Sequence, residues 1–376
     1  MTITLSIDCM GGDHGSSVTI PAAISFLKHE PDAALILVGL EPELRAELKR
    51  LKAHRDPRIT VQHASEVVAM DDPIEVALRR KKDSSMRVAI DMLKAGKAQA
   101  CVSAGNTGAL MAVSRYVLKT MQGVDRPAIC SILPNQKNGP TYMLDLGANV
   151  DCEPHHLHQF AVMGSVLFSA MEGTARPTIG LLNVGTEEIK GNDVVKATAR
   201  LLQQDHARGL LNFYGNVEGN DIFKGTANVV VCDGFVGNVT LKAAEGLGRF
   251  VKDVLNTEFR RNPLTMLGAL IARGALKKIT NRFNPSRYNG ASLLGLRGLV
   301  FKSHGGADAY SFEWAIKRAF DAAKNNVQEQ LSAMIAELMP CAPERGAGDR
   351  AANDRVEGAL VAPAPAAPGS TIQADG

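Results

Sequence analysis

The sequence predicts an α/β fold in which helices cover a mainly parallel sheet. Two observations carry this prediction. Short β-branched runs alternate with longer amphipathic stretches, and 45% of the 376 residues are hydrophobic while 22% are charged. Alternating strand and helix patterns are typical of parallel sheets, and this composition supplies a sizeable buried core. The length allows one large α/β domain or two to three smaller ones.

Eight apolar runs of strand length predict the strands of this sheet. The runs begin at Ile3, Ala33, Arg58, Gln99, Ala128, Thr178, Leu210 and Ala227. Residues typical of turns bound these runs, and several runs lead onward into a helical pattern.

Two helical patterns are clearest. Apolar residues recur at helical spacing over 154–172, and Pro154 suits the first turn of that helix. The segment 308–338 predicts one final long helix. Residues 341–376 are rich in Pro, Ala and Gly and poor in large apolar side chains, so we expect a disordered tail after a folded domain over 1–340.

Composition excludes several classes of partner and site. The formal net charge of +3 is too small an excess to indicate nucleic-acid binding. No apolar run approaches the roughly 20 residues that span a bilayer, and the first residues lack the pattern of an export signal. The six cysteines are spread singly, without a C-x-x-C pair or a zinc-like cluster. We therefore expect reduced cytosolic thiols and no metal site.

Four of the strand-like runs lead into loops rich in glycine and small polar residues. The loops read DCMGGDHG, SAGNTG, NVGTEEIKGN and CDGFVGN, and they begin at Asp8, Ser103, Asn183 and Cys232. Because ligands bind where the carboxyl ends of parallel strands meet, we expect the four loops to line one crevice. Glycine backbones and helix N-termini offer N–H donors, which favours an anion such as phosphate. None of the loops matches a Walker loop or a dinucleotide fingerprint.

Polar residues inside these loops are candidates for function. Lys190 stands near a predicted helix start, where its positive charge opposes the helix dipole. A functional role is favoured, and a solvated lysine paired with Glu187 or Glu188 is the alternative. Asn106 and Asn238 stand beside glycines, where each is either a helix cap or an amide donor to an oxyanion.

Eight strings, in this order along the chain, together resemble the bacterial phosphate acyltransferases of phospholipid synthesis. The strings are DCMGGDHG, SAGNTGALM, DRPAI, LDLGANVD, GLLNVGTEEIKGN, CDGFVGNVTLK, YNGASLLGL and KSHGGAD. The likeness runs from about Ile3 to about Leu338. The sequence departs from the family at Ser16, where proline is common, and at Cys9, a position that usually holds a smaller residue.

The resemblance implies that the chain transfers a long-chain fatty acyl group from acyl carrier protein to inorganic phosphate, giving acyl phosphate, with no cofactor. It implies a three-layer α/β/α fold similar to phosphate acetyltransferases and isopropylmalate dehydrogenases. It also implies a homodimer in the cytoplasm, peripherally associated with the inner face of the cell membrane. An integral-membrane glycerol-3-phosphate acyltransferase would consume the product.

This chemistry assigns expected roles to the loop residues. Lys190 and Asn238 are expected to stabilise developing negative charge, with Asp233 and His304 as further catalytic candidates. The residues expected to bind phosphate are Gly11, Gly12, Asp13, Ser103, Gly105, Asn106, Thr107, Gly108, Gly234 and Gly237. Turn or cap roles stay open for the two aspartates, and a structural role stays open for His304. Direct attack by phosphate needs no enzyme nucleophile, which agrees with the lack of a G-x-S-x-G motif.

Residues 260–287 interrupt the strand–loop–helix rhythm with apolar and basic side chains and no acidic ones. A break near Gly274 predicts two short amphipathic helices within the segment 256–287, for contact with a second copy, the carrier protein or the membrane. The residues expected to make this contact are Arg260, Arg261, Leu264, Leu267, Leu270, Ile271, Arg273, Lys277 and Lys278.

Three other functions stay open on the sequence alone. An acyl-CoA-dependent phosphate acyltransferase would share the phosphate loops and differ in its donor site. A β-decarboxylating dehydrogenase needs a divalent metal and a nicotinamide cofactor, and the sequence offers no comparable acidic cluster. A non-catalytic anion-binding scaffold or membrane-docking module would use the same loops without turnover.

Overall fold

A computed structural model describes residues 2–274, 276 and 285–338. Within these residues, eleven strands form one sheet. The strands are β1 (Ile3–Asp8), β2 (Ala33–Gly39), β3 (Ile59–His63), β4 (Ala100–Ser103), β5 (Ala128–Pro134), β6 (Pro140–Leu144), β7 (Thr178–Leu182), β8 (Asn212–Val217), β9 (Val229–Val231), β10 (Ala291–Leu294) and β11 (Leu299–Lys302). All eight predicted strands are confirmed.

Helices connect most of these strands. They are α1 (Ser16–His29), α2 (Glu41–Arg50), α3 (Ser85–Lys94), α4 (Thr107–Leu118), α5 (Pro154–Glu172), α6 (Asp193–Ala207), α7 (Gly219–Lys224), α8 (Gly234–Phe259), α9 (Pro263–Ile271), α10 (Ala309–Lys324) and α11 (Val327–Leu338), with a π-helical turn at Val76–Arg80 and a 3₁₀ turn at Pro285–Tyr288.

The sheet has the strand order β3-β2-β1-β4-β11-β10-β5-β6-β9-β7-β8. The strands β1 to β4 and β11 are parallel to one another, and so are β6 to β9. Because β10 is antiparallel to both neighbours and β5 is antiparallel to β6, the two parallel sets run in opposite directions. The mainly parallel sheet is confirmed within each set. The sequence analysis missed β6, β10 and β11, which take part in the reversal.

Sheet twist changes what this reversal means for the loops. Neighbouring strands rotate by about 20–25°, so the six steps from β1 to β9 rotate the strand direction by about 120–150°. A rotation of that size offsets much of the antiparallel relation between the two parallel sets.

The hydrophobic core lies on both faces of the sheet. On one face α1, α5 and α10 bury Phe26, Phe160 and Phe320, with the rings of Phe26 and Phe320 packed edge to face at 5.5 Å. On the other face α3 and α4 bury Ile90 and Val113. Helices on both sides of one sheet confirm the expected three-layer α/β/α architecture.

The two helical predictions have different outcomes. The predicted helix over 154–172 is confirmed as α5, which ends at Gly173 in the left-handed conformation with a φ of 69°. The single long helix predicted over 308–338 is wrong, because it is divided into α10 and α11. Asn326 has a φ of 51°, which no α-helix accommodates, and the chain restarts a helix at Val327. The predicted tail over 341–376 lies outside the described residues.

The helices α8 and α9 form a feature that we call the helical arm. The first turn of α8 is buried at Gly234 and Gly237, whereas residues 246–258 are all exposed. At the start of α9, the Asn262 side chain accepts a hydrogen bond from the Thr265 N–H at 2.9 Å. Within the described residues, no helix has both the length and the apolar composition needed to cross a membrane.

The arm confirms the predicted break near Gly274, because α9 ends at Ile271 and, after the turn at Ala272, residues 273, 274 and 276 are again helical. A second break, which the sequence analysis missed, lies at residues 260–262, because α8 continues to Phe259 and Asn262 caps α9. The apolar stripe predicted from Leu264 to Ile271 lies on α9 and is exposed. Lys277 and Lys278, with most of the second predicted helix, lie outside the described residues.

Candidate functional site

The first loop group consists of the segments that follow β1, β4 and β11, namely residues 9–13, 103–106 and 303–306. Because these strands are adjacent and parallel, their carboxyl ends bring the loops together. The Asp13 N–H donates to the Gly305 carbonyl at 2.9 Å. A Cβ added at Gly11 would lie 2.7 Å from the Gly105 nitrogen, and Gly12 has a φ of 86°. Only glycine fits this turn.

A buried carboxylate, Asp8, lies beneath the first loop group. It accepts hydrogen bonds from the Ser103 hydroxyl at 2.6 Å and from the Met10 N–H at 3.3 Å. Burial raises the pKa of Asp8, and these hydrogen bonds oppose the shift. Ser103 is fully buried and its oxygen also accepts the Gly105 N–H at 3.1 Å. These contacts give Ser103 and the Gly105 N–H a structural role, and their phosphate-binding roles stay predictions.

Asn106 caps α4. Its Oδ1 accepts the Ala109 N–H at 3.0 Å, and its Nδ2 donates to the Met70 carbonyl at 2.6 Å. The cap alternative therefore holds for this side chain. Thr107 and Gly108 open the helix, and N–H groups in a first turn have no intrahelical acceptor. These two residues stay candidates for holding an anion.

His304 lies at the exposed rim of the first loop group. Its Nδ1 accepts the Gly306 N–H at 3.1 Å, and its backbone N–H donates to Oδ1 of Asn289 at 3.0 Å. With Nδ1 as an acceptor, the neutral ring carries its proton on Nε2. The structural role is therefore present, and the neutral ring can donate a hydrogen bond from Nε2.

Lys302 is a buried cation in the first loop group that the sequence analysis did not identify. It ends β11, is 8% exposed, and donates to the Ala104 carbonyl at 3.2 Å and to the Ser303 carbonyl. Burial lowers its pKa to about 8, while the charges of Asp8 and Asp13 oppose that shift.

The second loop group consists of residues 145–149 after β6 and 232–238 after β9. Asp145 is fully buried and accepts the Ile129 N–H at 2.8 Å, the Asn149 N–H at 2.6 Å and the Asn149 side-chain amide at 2.9 Å. Burial raises the pKa of Asp145 against these hydrogen bonds. The carboxylate thus ties the end of β6 to the start of β5.

Gly234 and Gly237 pack against Asp145 and Asn149. The Gly234 N–H donates to the Asn149 carbonyl at 2.7 Å, and the Gly237 N–H donates to the Asp233 carbonyl at 3.0 Å. A Cβ added at Gly237 would lie 1.9 Å from the Asp145 carbonyl oxygen. Their N–H groups already have acceptors in the protein, and the role of these glycines as phosphate donors stays a prediction. Close packing also explains them.

The remaining polar residues of the second loop group differ in role. Asp233 accepts the Val236 N–H at 2.9 Å and caps α8, which supports the cap alternative. Asn238 is exposed and lies over Gly147, whose added Cβ would be 3.5 Å from the Asn238 side chain. The predicted catalytic role of Asn238 stays a prediction.

The lysine loop, residues 183–192, follows β7. Its shape depends on hydrogen bonds from Asn183 Nδ2 to the Lys190 carbonyl at 3.2 Å and from Asn216 Nδ2 to the Glu187 carbonyl at 3.1 Å. The Lys190 side chain is exposed. Within the described part of the chain, Lys190 has no carboxylate within 4.0 Å, so the predicted pairing with Glu187 or Glu188 is absent there.

The contacts divide the four predicted loops into two sets. The loops after β1 and β4 meet in the first loop group, and the loops after β7 and β9 emerge from the other parallel set. A shared carboxyl edge alone does not join the two sets, because β10, β5 and β6 reverse the strand direction, so the expectation that all four loops line one crevice stays a prediction. The helix α8 connects the two regions, since the charge of Lys242 acts on the buried Lys302.

One side-chain cluster has the composition of a metal site. Ligand atoms of Asp125, His155 and His156 lie within 4.8 Å of one another. However, Nδ1 of His156 accepts the Glu153 N–H at 3.0 Å, which leaves the proton on Nε2. The cluster also lies at the N-terminus of α5 beside Arg126, and burial lowers the pKa of His156, with the charges of His155 and Arg126 adding to the shift. Both the helix dipole and Arg126 oppose a bound cation.

The residues that sequence reasoning missed share a signal. Asp8 and Asp145 each end an apolar run just before a glycine loop, and Lys302 does the same in FKSHGG. A buried charged residue at the last position of a strand, or directly after it, requires a partner, and that requirement marks all three.

Comparison with known proteins agrees with the fold. The structure is similar to a phosphotransacetylase from Streptococcus pyogenes, with a TM-score of 0.59 and 18% identity, covering 86% of this chain and 94% of that chain. It is also similar to the EutD phosphotransacetylase from Staphylococcus aureus, with a TM-score of 0.57 and 17% identity over 86% of this chain and 94% of that chain. At these identities the likeness shows the fold alone.

Sequence comparison identifies the family. The model of the family described as "Fatty acid synthesis protein" matches residues 3–330. A phosphate acyltransferase from Janthinobacterium sp. (strain Marseille) is 76% identical over 93% of this chain and 98% of its own length. One from Herminiimonas arsenicoxydans is 77% identical over 90% and 95%. The chain therefore belongs to the bacterial phosphate acyltransferases of the fatty acid synthesis protein family.

Proposed function

We propose that this chain transfers a long-chain fatty acyl group from acyl carrier protein to inorganic phosphate. The product is acyl phosphate, which supplies phosphatidic acid and phospholipid synthesis. Besides family membership, the observation that carries the proposal is the first loop group. There the glycine turn after β1 meets the N-terminus of α4, and together they suit a phosphate ion.

The proposed reaction is a direct displacement. An oxygen of phosphate attacks the thioester carbon, the tetrahedral oxyanion collapses, and the C–S bond breaks with its electron pair leaving on sulfur. The thiolate then takes up the proton that hydrogen phosphate releases on forming acyl phosphate, and the Nε2–H of His304 is proposed to donate a hydrogen bond to the sulfur. Alignment of the two reactants supplies about 7–11 kcal/mol of the barrier.

The described cysteines support a route without an enzyme thiolate. Burial raises the pKa of the Cys101 thiol and of the Cys152 thiol to about 12. It also raises the pKa of Cys9, Cys130 and Cys232. Because the thiolate is the nucleophile, these five residues are poor candidates for an acyl-enzyme intermediate.

Lys190 and Asn238 are the proposed charge-stabilising residues. Both are exposed and belong to loops that follow β7 and β9, which are adjacent parallel strands. An ammonium and an amide placed at one edge of the sheet suit the oxyanion and the phosphate charge. Gly12, Thr107 and Gly108 are the proposed phosphate contacts.

The helical arm is the proposed contact for macromolecular partners. Leu264 and Ile271 are 78% and 80% exposed, and Arg260, Arg261 and Arg273 lie beside them in sequence. We propose that this face pairs with a second copy of the chain and meets the carrier protein or anionic lipid on the inner face of the cell membrane. The integral-membrane glycerol-3-phosphate acyltransferase is the proposed consumer of the product.

The experiment that tests the function is an assay with purified protein and a long-chain acyl carrier protein thioester. Free carrier thiol and hydroxylamine-trapped acyl phosphate are measured with and without inorganic phosphate, and acyl-CoA serves as a second donor. Thiol release coupled to trapped product only with phosphate supports the proposal. Thiol release without phosphate indicates a thioesterase. Faster turnover with acyl-CoA than with the carrier protein thioester makes acyl-CoA the acyl donor. The absence of any thiol release contradicts the proposal.

A further inference from the structure

Three side chains form a polar row across the sheet at the floor of the first loop group. The strand registers pair Asp8 of β1 with Ser103 of β4, and Ser103 with Lys302 of β11. Paired residues in parallel strands project to the same face, so the three side chains stand side by side. All three are buried.

This row ties the three loops to one another. Asp8 accepts from Ser103 and from the Met10 N–H in the loop that follows β1. Lys302 donates to the carbonyls of Ala104 and Ser303, which begin the other two loops. Each of the three loops therefore has a main-chain group held by the row. A change at Lys302 would release two loops at once.

A charged lysine is costly at this depth. The ammonium has lost most of its water, and carbonyl oxygens replace only part of that solvation. The ionisable groups that act on it are Asp8 from β1, Asp13 from the first loop and Lys242 from α8. The two carboxylates favour the charged form, whereas burial and Lys242 oppose it. An apolar side chain could fill this position at a lower cost in desolvation free energy. The presence of an ammonium here therefore indicates a functional role.

We propose that Lys302 is a positioning residue whose protonated ammonium holds the first loop group in the arrangement that binds phosphate. The inference rests on the proposed function, because phosphate is the ligand that the reaction requires there. Lys302 acts on the ligand through the loops that it holds, and protonation strengthens its two carbonyl bonds, because a charged donor makes stronger hydrogen bonds than a neutral amine.

The pH dependence gives this role a signature. The pKa of Lys302 is lowered to about 8, so the ammonium loses its proton as the pH rises through that value. Above it, affinity for phosphate is expected to fall, by at most about tenfold per pH unit. Arginine stays protonated throughout this range, whereas methionine carries no charge at any pH.

The test compares Lys302→Met and Lys302→Arg with a matched control, Lys137→Met. Lys137 also donates from Nζ to a backbone carbonyl, that of Gly225 at 2.6 Å, and it lies in the β5–β6 turn. The Kd for inorganic phosphate is measured by calorimetry between pH 7 and 9.5, and the phosphate KM and kcat are measured in the acyl-transfer assay.

Wild type and the control are expected to lose affinity above about pH 8. Lys302→Met is expected to bind phosphate at least tenfold more weakly at pH 7, with a flat profile and with kcat changing less than KM. Lys302→Arg is expected to keep its affinity to higher pH than wild type. Circular dichroism checks the fold of each variant.

Identical Kd profiles for the folded Lys302 variants and the control would overturn the inference. If neither Lys302 variant folds, the test rests on how the phosphate Kd of wild type and of the control changes with pH. A phosphate Kd that stays constant up to pH 9.5 then overturns the inference. Calorimetry does not depend on turnover. Phosphate binding with the expected profile but without acyl phosphate formation would therefore contradict the proposed function and leave the positioning role supported.

Discussion

The two loop groups both contain a buried carboxylate, but the groups around that carboxylate differ. Each places a buried carboxylate beneath a glycine-rich turn, Asp8 in the first group and Asp145 in the second. In the first group a buried ammonium, Lys302, stands in the same row as the carboxylate. In the second, the described hydrogen-bond donors to Asp145 are neutral N–H groups and the Asn149 amide.

This difference teaches where pH sensitivity belongs in the molecule. Neutral donors do not titrate, so the second loop group is expected to keep its geometry from neutral to alkaline pH. The first loop group depends on a proton that Lys302 holds only weakly. Loops of similar composition can thus respond differently to the same change of solvent.

The largest expected effect tests whether the reacting centre lies at the lysine loop, outside the two loop groups. Lys190→Ala is expected to lower kcat by about 10²–10³-fold, the usual cost of removing one group that stabilises an oxyanion. Because Lys190 is exposed, the melting temperature should hardly change. Steady-state kinetics with Lys196→Ala as the control provide the measurement. A folded Lys190→Ala protein with full activity would move the reacting centre away from the lysine loop.

The next effect tests the packing of the second loop group. Gly237→Ala places a Cβ where the Asp145 carbonyl oxygen is only 1.9 Å away, and a backbone atom cannot yield cheaply. We expect a loss of about 3 kcal/mol in the free energy of unfolding. Gly246→Ala lies in the same helix with open space around it and should stabilise by about 0.5–1 kcal/mol. Urea titrations that give equal midpoints for both variants would contradict the packing role.

Replacing the buried carboxylate of the second group should have a somewhat smaller effect. In Asp145→Asn an amide NH₂ replaces one acceptor oxygen and faces N–H donors from Ile129 or Asn149. Leaving buried donors unpaired costs about 1–3 kcal/mol. The exposed Asp151→Asn serves as the control and should change stability by less than about 0.5 kcal/mol. Chemical denaturation at pH 7 measures both, and a neutral Asp145→Asn would show that its hydrogen bonds are dispensable.

The smallest expected effect separates the groups by their alkaline response. The pKa of Lys302 is about 8 in the folded state, and an unfolded lysine has a pKa of about 10.4. Between these values the unfolded chain binds more protons, so the free energy of unfolding rises with pH, by at most about 1.4 kcal/mol per unit. Lys302→Met should lack this contribution and Asp145→Asn should retain it. Urea titrations at pH 8, 9 and 10 compare the slopes, and equal slopes in wild type and Lys302→Met would refute the lowered pKa.

Much of the fold follows from local patterns, and the part that does not follow depends on distant contacts. The runs that became β1 and β9 were visible because apolar residues alternate with turns. The strands β10 and β11 have only four residues each, too few for a period to show. The break at Asn326 was hidden because asparagine is compatible with a helix until its φ is known.

The candidate site was predictable as glycine loops but not as contacts. Ser103 and Gly105 look like ligand donors in the sequence, yet Asp8 and the Ser103 oxygen already occupy their hydrogen-bonding groups. That competition involves residues about a hundred positions apart. Lys302 was missed for the same reason, since its meaning comes from its register with β4 and β1.

The helix α8 connects the second loop group mechanically to the exposed helical arm. Its 26 residues form a rod of about 39 Å whose first turn is clamped at Gly234 and Gly237, while residues 246–258 extend into solvent. A rod fixed at one end acts as a lever. Tilting it by about 5° would carry its far end through about 3 Å, given that length. A tilt of the arm would therefore act on the packing of Gly234 and Gly237 against Asp145. It would also change the distance between the charges of Lys242 and Lys302.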